Sequence, residues 1–337
     1  MNGLLPALAA PALFGAGAAL TKVQLAGVHP VLMAGLLYLS AGVGLGLWCL
    51  LRPGAEARVV KADLPRLAAV AACGGVAAPA LLMTGLSALP ASHASLLLNL
   101  EAPLTALLAW GLFKEHVGRR AALGIALVTF GAAVLSGLES GGKGPFWAYA
   151  ATVAACFFWA LDNNLTQGLA ERDPLQVAAL KGAAAGAFNV AAGVALGALF
   201  PRGGALIWIA LIGLLSYGVS LACYLTALRR FGAARTAMYI SLAPFFGSAV
   251  AVCFLHEPLT HALGMASLLM GAGVWLAVAE RHEHGHVHDE AHEHLHAHDE
   301  HHPHEHDDDV QGAHSHAHSH VGLAHSHPHA PDIHHRH

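Results

Sequence analysis

Ten apolar segments of about 20 residues follow one another along this 337-residue chain and constrain its fold more than any other feature. A helix needs about 20 apolar residues to cross the hydrocarbon core of a bilayer, and in lipid its backbone polar groups must be satisfied within the protein. We therefore predict an all-α polytopic membrane protein with ten transmembrane helices. The predicted spans are 4–25, 31–51, 67–86, 92–113, 121–138, 146–168, 175–199, 205–228, 236–255 and 262–279.

The connectors between these spans predict the orientation of the chain. If the N-terminus lies inside, the inner connectors carry eleven Lys and Arg residues, and the outer connectors carry only Lys143 and Arg202. Cytoplasmic connectors of membrane proteins are enriched in Lys and Arg. We therefore expect both termini in the cytoplasm, in a protein of the bacterial inner membrane.

Composition and motifs argue against several function classes. Residues 1–280 hold 15 basic and 10 acidic residues with no stripe of basic and aromatic side chains, so we expect no nucleic-acid partner. The five cysteines lie in apolar runs and form no C-x-x-C pair. Since neither a nucleophile–base arrangement nor a phosphate-binding glycine loop is visible, we predict that the chain is no enzyme and requires no cofactor.

The chain also repeats itself at an offset of 140–145 residues. The stretch APLTALLAWGLFKE, which ends at Glu115, matches APFFGSAVAVCFLHE, which ends at Glu257. The repeat predicts two five-helix domains, 4–138 and 146–279. Because five crossings are an odd number, the second domain enters the membrane upside down. Many secondary transporters follow this plan and bind substrate near the midplane between the halves.

These residues carry a resemblance to a known family. A five-plus-five chain with an Ala-Pro pair and a following glutamate in spans four and nine resembles the EamA family of the drug/metabolite transporter superfamily. The resemblance covers about residues 4–279 and implies a ten-helix exporter of amino acids, metabolites or drugs. Glu115 and Glu257 occupy the position of the family's glutamate. We expect gating or structural roles, including capping, for these two residues and for Pro103 and Pro244.

Four ionisable residues fall inside the predicted spans, namely Lys22, Glu101, Asp162 and Lys181. Each costs about 2.5–3.5 kcal/mol or more at the centre of a helix, so such residues normally face a cavity or a partner. Asp162 and Lys181 lie at matched depth, which predicts a salt bridge between them. The remaining candidates for a substrate or coupling path share helix faces with these residues, and they are Asn163, Thr105 and Asn189.

Glu101 is nearly central in its span and is the main candidate for coupling. Burial disfavours the charged form of a carboxyl, because the charge loses its solvation. Glu101 could therefore take a proton on one side and release it on the other, or it could bind a cationic group directly. Pro103 weakens the local helix hydrogen bonds and would let that half of the span move. The alternative is a structural pair of Glu101 with Lys22 or with the backbone.

Residues 281–337 form a separate domain that holds 22 of the 27 histidines. This tail has too little apolar content to fold, so we predict disorder in isolation. Imidazoles interleaved with carboxylates predict binding of divalent transition-metal ions such as zinc, nickel, cobalt or copper. The predicted ligands are His282, His284, His286, His288, His292, His294, His296, His298, His301, His302, His304, His306, His314, His316, His318 and His320.

Two functions fit these observations. The first is a secondary transporter that exports a small organic metabolite or amphiphilic compound, coupled to ions or protons, with a metal-binding cytoplasmic tail. The alternative is an efflux transporter for nickel, cobalt or zinc that the tail supplies with ions. The expected partners are the lipid bilayer, a small-molecule substrate and metal ions, and the sequence is compatible with a homo-oligomer.

Overall fold

The computed structural model describes residues 4–51, 57–113, 118–137, 144–169 and 172–278, together with four short strands in the tail. The helical residues form ten successive stretches, which we number α1 to α10. Their bounds are Leu4–Leu25 (α1), Pro30–Leu51 (α2), Lys61–Ala88 (α3), Ala91–Leu97 continuing through Leu98–Leu100 into Glu101–Phe113 (α4), Arg119–Gly137 (α5), Phe146–Thr166 (α6), Pro174–Ala195 (α7), Gly204–Phe231 (α8), Thr236–Phe254 (α9) and His261–Val278 (α10). The backbone stays helical from Ser220 to Ile240, so the connector between α8 and α9 is helical too.

Nine helices among the described residues are long and apolar enough to cross a membrane. The remaining stretch, α6, has 21 residues, but Asp162, Asn163 and Asn164 near its end lower its mean hydropathy. The all-α membrane fold is thus confirmed for the helical part of the chain. The count of ten crossings stays a prediction.

Two predicted spans differ from the observed helices by four or more residues at one end. α3 begins earlier, at Lys61, because Pro65 lies in the first turn of its α-helical part, where a missing N–H costs little. α7 ends earlier than predicted because Gly197 adopts a φ of 81° and the Ala198 N–H bonds to the Gly193 carbonyl. This is the left-handed helix end that glycine favours.

The contact between α2 and α7 shows how the two repeats are oriented. Leu32 on α2 lies beside Gly193 on α7, whereas Gly42, ten residues further along α2, lies beside Gly182. Residue numbers therefore rise along α2 as they fall along α7, so the two helices are antiparallel. Since α7 is the equivalent of α2 in the second repeat, the repeats are inverted, as predicted.

The other helix contacts obey the same relation. α5 and α10 are also equivalent and antiparallel, with Gly124 beside Ala277 and Gly131 beside Met270. α1 packs against α8 and α9 of the other repeat, and its equivalent α6 packs against α3 and α4. This reciprocal exchange places the first helix of each repeat against the third and fourth helices of the other.

Each repeat contains a π-helix in its third helix. The π-helix spans Ala71–Ala77 in α3 and Leu214–Val219 in α8, and the repeat offset superimposes one on the other. A π-helix widens a turn locally and frequently marks a functional site. Neither was predicted, because the apolar pattern of a span does not distinguish a π-helical turn from an α-helical one.

The histidine-rich tail contains four short strands in two antiparallel pairs. β1 (His282–Val287) pairs with β4 (Ala324–His329), and β2 (His292–His296) pairs with β3 (His314–His318). The strands differ from the expectation of disorder, and their physical basis is the alternation of histidine with other residues, which has the period of a strand. A two-stranded ladder is marginally stable at best in water, so disorder of the isolated tail stays a prediction.

Replacing Gly42 with alanine tests the close contact between α2 and α7. A Cβ at this position would overlap the backbone of Ala183 on α7. Overpacking costs about 1–3 kcal/mol. We therefore expect Gly42→Ala to lower the midpoint of thermal unfolding of the purified protein in detergent.

The matched control is Gly46→Ala, one turn further along α2, where nothing lies within 4 Å of an added Cβ. We expect this variant to keep or raise the midpoint, since alanine favours helix over glycine. Equal midpoints for the two variants would contradict the packing described here.

Candidate substrate and coupling site

Glu101 opens the α-helical part of α4 and faces α6. Its Oε1 atom accepts a hydrogen bond of 2.8 Å from the Asn163 side-chain amide, which also donates to the Thr105 hydroxyl at 3.3 Å. The Thr105 hydroxyl in turn donates to the Glu101 carbonyl at 2.9 Å. Glu101 is half-buried and Asn163 is exposed. The structure thus joins three predicted site residues, and a neutral amide holds the carboxylate.

Two prolines interrupt equivalent helices of the two repeats. In α4, the 3-10 turn Leu98–Leu100 directly precedes Glu101, and Pro103 has no N–H to offer the preceding turn. In α9, Pro244 follows a break at Ser241 and Leu242. Weakening of the helix by Pro103 and a gating role for either proline both stay predictions.

Asp162 and Lys181 form an ion pair between α6 and α7, which confirms the predicted salt bridge. Their side chains are only 6% and 18% exposed. Thr166 donates a further hydrogen bond of 3.4 Å to the Asp162 carboxylate. A Cβ at Gly74 of α3 would overlap that carboxylate, so only glycine lets α3 approach the pair this closely.

The π-helix of α3 supplies backbone acceptors beside this ion pair. The Gly74 carbonyl accepts hydrogen bonds from the Tyr38 hydroxyl at 3.2 Å and from the Trp159 indole at 3.0 Å. The side-chain amide of Asn189, a predicted site residue, donates to the carbonyls of Gly75 and Val76 at 3.4 and 3.2 Å. Sequence reasoning missed Tyr38 and Trp159, and their only signal was the Gly-Gly pair in span three.

Lys22 and Glu257 hold the tip of the hairpin formed by α3 and α4. The Lys22 ammonium donates to the Leu86 and Ser87 carbonyls at the end of α3, at 2.7 and 3.1 Å. The Glu257 carboxylate accepts from the Ala91 N–H at 2.7 Å, from the Ser92 N–H at 2.9 Å and from the Ser92 hydroxyl at 2.5 Å. A cation at a helix C-terminus and an anion at an N-terminus both complement the helix dipole.

These contacts exclude one of the structural alternatives raised by the sequence, whereas the role of Glu101 in coupling stays a prediction. The Glu101–Lys22 pair was wrong, because Lys22 binds the end of α3 while Glu101 binds Asn163. The capping role of Glu257 is confirmed. Glu115 lies outside the described residues, and its role stays a prediction.

The predicted metal ligands all lie in the tail and divide into two groups. The described helices contain no group of three or more His, Cys, Asp or Glu residues that could hold a metal ion. Of the predicted tail ligands, His288, His298, His301, His302, His304, His306 and His320 lie outside the described residues. The others lie in the strands, and they are His282, His284, His286, His292, His294, His296, His314, His316 and His318. β4 adds three histidines that the prediction omitted, His325, His327 and His329.

Two inverted helical repeats with polar residues buried between their helices are the plan of a membrane transporter, and many secondary transporters share it. The EamA-like transporter family matches residues 1–137 and 146–279, one match for each repeat. The chain therefore belongs to the EamA-like transporter family and is an integral membrane transporter. The predicted family is confirmed, and it indicates a transporter rather than an enzyme.

Two individual proteins extend this comparison. An uncharacterized transporter of Methanothermobacter thermautotrophicus is 30% identical over 294 residues, which cover 81% of this chain and 85% of that protein. A protein of known crystal structure is 19% identical, with a TM-score of 0.63 over 82% of this chain and 96% of its own. The second likeness concerns the fold alone.

Removing one partner of the Asp162–Lys181 pair tests how the site is held. Asp162→Asn and Lys181→Met each leave one buried charge unpaired, which costs about 3–5 kcal/mol. We expect both variants to unfold at a clearly lower temperature in detergent. The double variant removes both charges and should recover most of the loss, whereas simple addition of the two losses would show that the charges are not coupled.

Glu257→Ala tests the cap on α4. The substitution removes the acceptors for three donors at the start of this helix, and a lost cap costs about 0.5–2 kcal/mol. We expect a lower midpoint of thermal unfolding, with Glu257→Gln intermediate because it keeps one acceptor oxygen. An unchanged midpoint for the alanine variant would rule out a stabilising cap.

Proposed function

We propose that this transporter exports a small organic compound with a cationic group, in exchange for protons. The observation that carries the proposal is the state of Glu101, a carboxylate in the middle of α4 whose hydrogen-bond partner is the neutral amide of Asn163. Lys181 already neutralises Asp162. Glu101 therefore remains free to exchange a proton for a cation, because binding either one does not require a salt bridge to break.

The surroundings of Glu101 suit such an exchange. Asn163 is exposed, and we take this side chain as the route by which a compound reaches the carboxylate. Thr105 adds a hydroxyl within the same hydrogen-bonded group. If Glu101 binds either a proton or the cationic compound, each excludes the other. Proton movement in one direction is then coupled to movement of the compound in the other. The Asp162–Lys181 pair, Asn189 and the π-helix of α3 would hold the helices around this group.

The contacts of Lys22 and Glu257 with the α3–α4 tip, which we call the clamp, support a mechanism by which the site opens to alternate sides of the membrane. Lys22 on α1 and Glu257 after α9 hold the two sides of the tip, so the tip cannot leave α1 and α9 while both contacts persist. With the N-terminus in the cytoplasm, as the positive-inside rule predicts, this tip lies on the outer side of a bacterial inner membrane. Breaking the clamp would then open the site outward for release.

A growth comparison would identify the class of substrate. A strain lacking the gene would be challenged with toxic organic cations, amino acids, and nickel, cobalt or zinc salts, and complemented with the full chain or with residues 1–280. We expect both forms to restore tolerance to an organic cation. Restoration of metal tolerance by the full chain alone would instead favour the metal-efflux alternative.

Glu101→Gln tests the coupling directly. Glutamine keeps the shape and can still bond to Asn163, but it cannot titrate or carry charge. A hydrogen bond to a charged group contributes about 1.5–3 kcal/mol, so we expect affinity for the identified compound to fall about tenfold or more. In proteoliposomes with an internal pH dye, substrate-driven proton movement should disappear.

Thr129→Val on α5 is the control, since this exposed hydroxyl bonds only to the Ile125 carbonyl of its own helix. We expect its transport to match the parent. If Glu101→Gln transports as fast as the parent with the same pH dependence, Glu101 is not the coupling group.

A further inference from the structure

Tyr38 on α2 contacts the π-helices of both repeats. Its hydroxyl donates to the Gly74 carbonyl in the π-helix of α3, at 3.2 Å. Its ring packs against the ring of Tyr217 in the π-helix of α8, with the two centroids 5.2 Å apart and the planes tilted by 42°. Because α3 and α8 belong to different repeats, Tyr38 lies between the repeats, where secondary transporters bind substrate.

The two π-helices differ at the position that meets Tyr38. The stretches CGGV (73–76) and SYGV (216–219) align through their shared Gly-Val pair, which makes Gly74 and Tyr217 equivalent. In α3 the glycine leaves its carbonyl open to side chains, whereas in α8 the equivalent residue supplies a ring. Phe14 on α1 extends this ring surface, since it meets Tyr217 edge-on with the centroids 5.8 Å apart. The α8 side of the interface is therefore aromatic.

A short path leads from these rings to Glu101. The Gly74 carbonyl that binds Tyr38 also accepts a hydrogen bond of 3.0 Å from the Trp159 indole. Asn163, which binds the Glu101 carboxylate, lies one turn after Trp159 on the same face of α6, a rise of about 6 Å. Tyr38 is also close enough to Glu101 for the two groups to interact electrostatically. The rings and the acid are thus within reach of one small organic molecule.

The tyrosine pair is suited to receive a further ring. Tyr38 and Tyr217 are both half-buried, so part of each residue remains accessible. Aromatic rings attract one another in tilted, edge-on or offset arrangements with centroids about 4.5–7 Å apart, because their faces are negative and their edges positive. A saturated ring of similar size has no such charge distribution and gains only from the burial of its surface.

We propose that Tyr38 and Tyr217 bind an aromatic ring of the transported compound while Glu101 binds its cationic group. The inference rests on the function proposed above and narrows its substrate class to aromatic organic cations. The acid by itself would accept any cation of suitable size. The tyrosines add the preference for a flat ring, and Phe14 supports the ring of Tyr217 from α1.

Two ammonium compounds of equal charge and similar shape test this preference. Benzyltrimethylammonium carries an aromatic ring, and (cyclohexylmethyl)trimethylammonium carries its saturated counterpart. The binding of each compound to the purified full chain in detergent is measured by equilibrium dialysis. We expect the parent to bind the aromatic compound about three- to tenfold more tightly, the gain that aromatic pairs give beyond burial.

Tyr217→Leu should remove most of this preference, because leucine keeps an apolar side chain but has no ring. Tyr217→Phe keeps the ring and should keep the preference. Binding of the saturated compound by the leucine variant shows that this variant is folded. The matched control is Phe157→Leu, which removes an exposed ring that contacts Phe158 on its own helix, and it should bind both compounds as the parent does.

Three results would overturn the aromatic site: equal affinity of the parent for the two compounds, a preference that Tyr217→Leu retains, or an equal loss of affinity for both compounds in that variant. Glu101→Gln should weaken both compounds alike, since they carry the same charge. If it weakens neither, the proposed function fails, whereas a preference lost in Tyr217→Leu would still support the aromatic site. Absence of binding by both compounds would overturn both proposals.

Discussion

Polar groups inside a bilayer have no water to bind, so they must find partners within the protein, and this constraint organises the middle of the molecule. Asp162 meets Lys181, and the carbonyls of the α3 π-helix meet the side chains of Tyr38, Trp159 and Asn189. These pairings tie α3, α6 and α7 together and attach α2 to them. The cost of leaving any one group unpaired therefore determines how the helices meet.

Contacts at glycine positions hold the helices together in addition to these polar contacts. Helices in lipid gain nothing from hydrophobic burial against one another, so they associate where small residues let their backbones approach. Gly42 and Gly182 do this between α2 and α7, and Gly124 and Gly273 do it between α5 and α10. The same contacts fix the inversion of the repeats, because the glycines match only when the paired helices run in opposite directions.

The repeats share a backbone plan but differ in charge. Both have the π-helix in the third helix and the proline break in the fourth, and in the described spans the acid at the break occurs in α4 alone, as Glu101. A site that is symmetric in its backbone and asymmetric in its charge can bind a proton or a cation on one side of the interface. The clamp by Lys22 and Glu257 joins both repeats to one hairpin, so movement of that hairpin involves the whole molecule.

The sequence by itself determined the helical class, the duplication and the family. These properties depend on the spacing of residue types along the chain, and the Asp162–Lys181 pair followed from matched depth alone. Only the tertiary structure decided that Lys22 binds the end of α3 instead of Glu101, and that Tyr38 and Trp159 share the Gly74 carbonyl. The physical reason is that a backbone carbonyl carries no signature in the sequence, and that the apolar pattern of a span gives its depth but not its rotation or its neighbours.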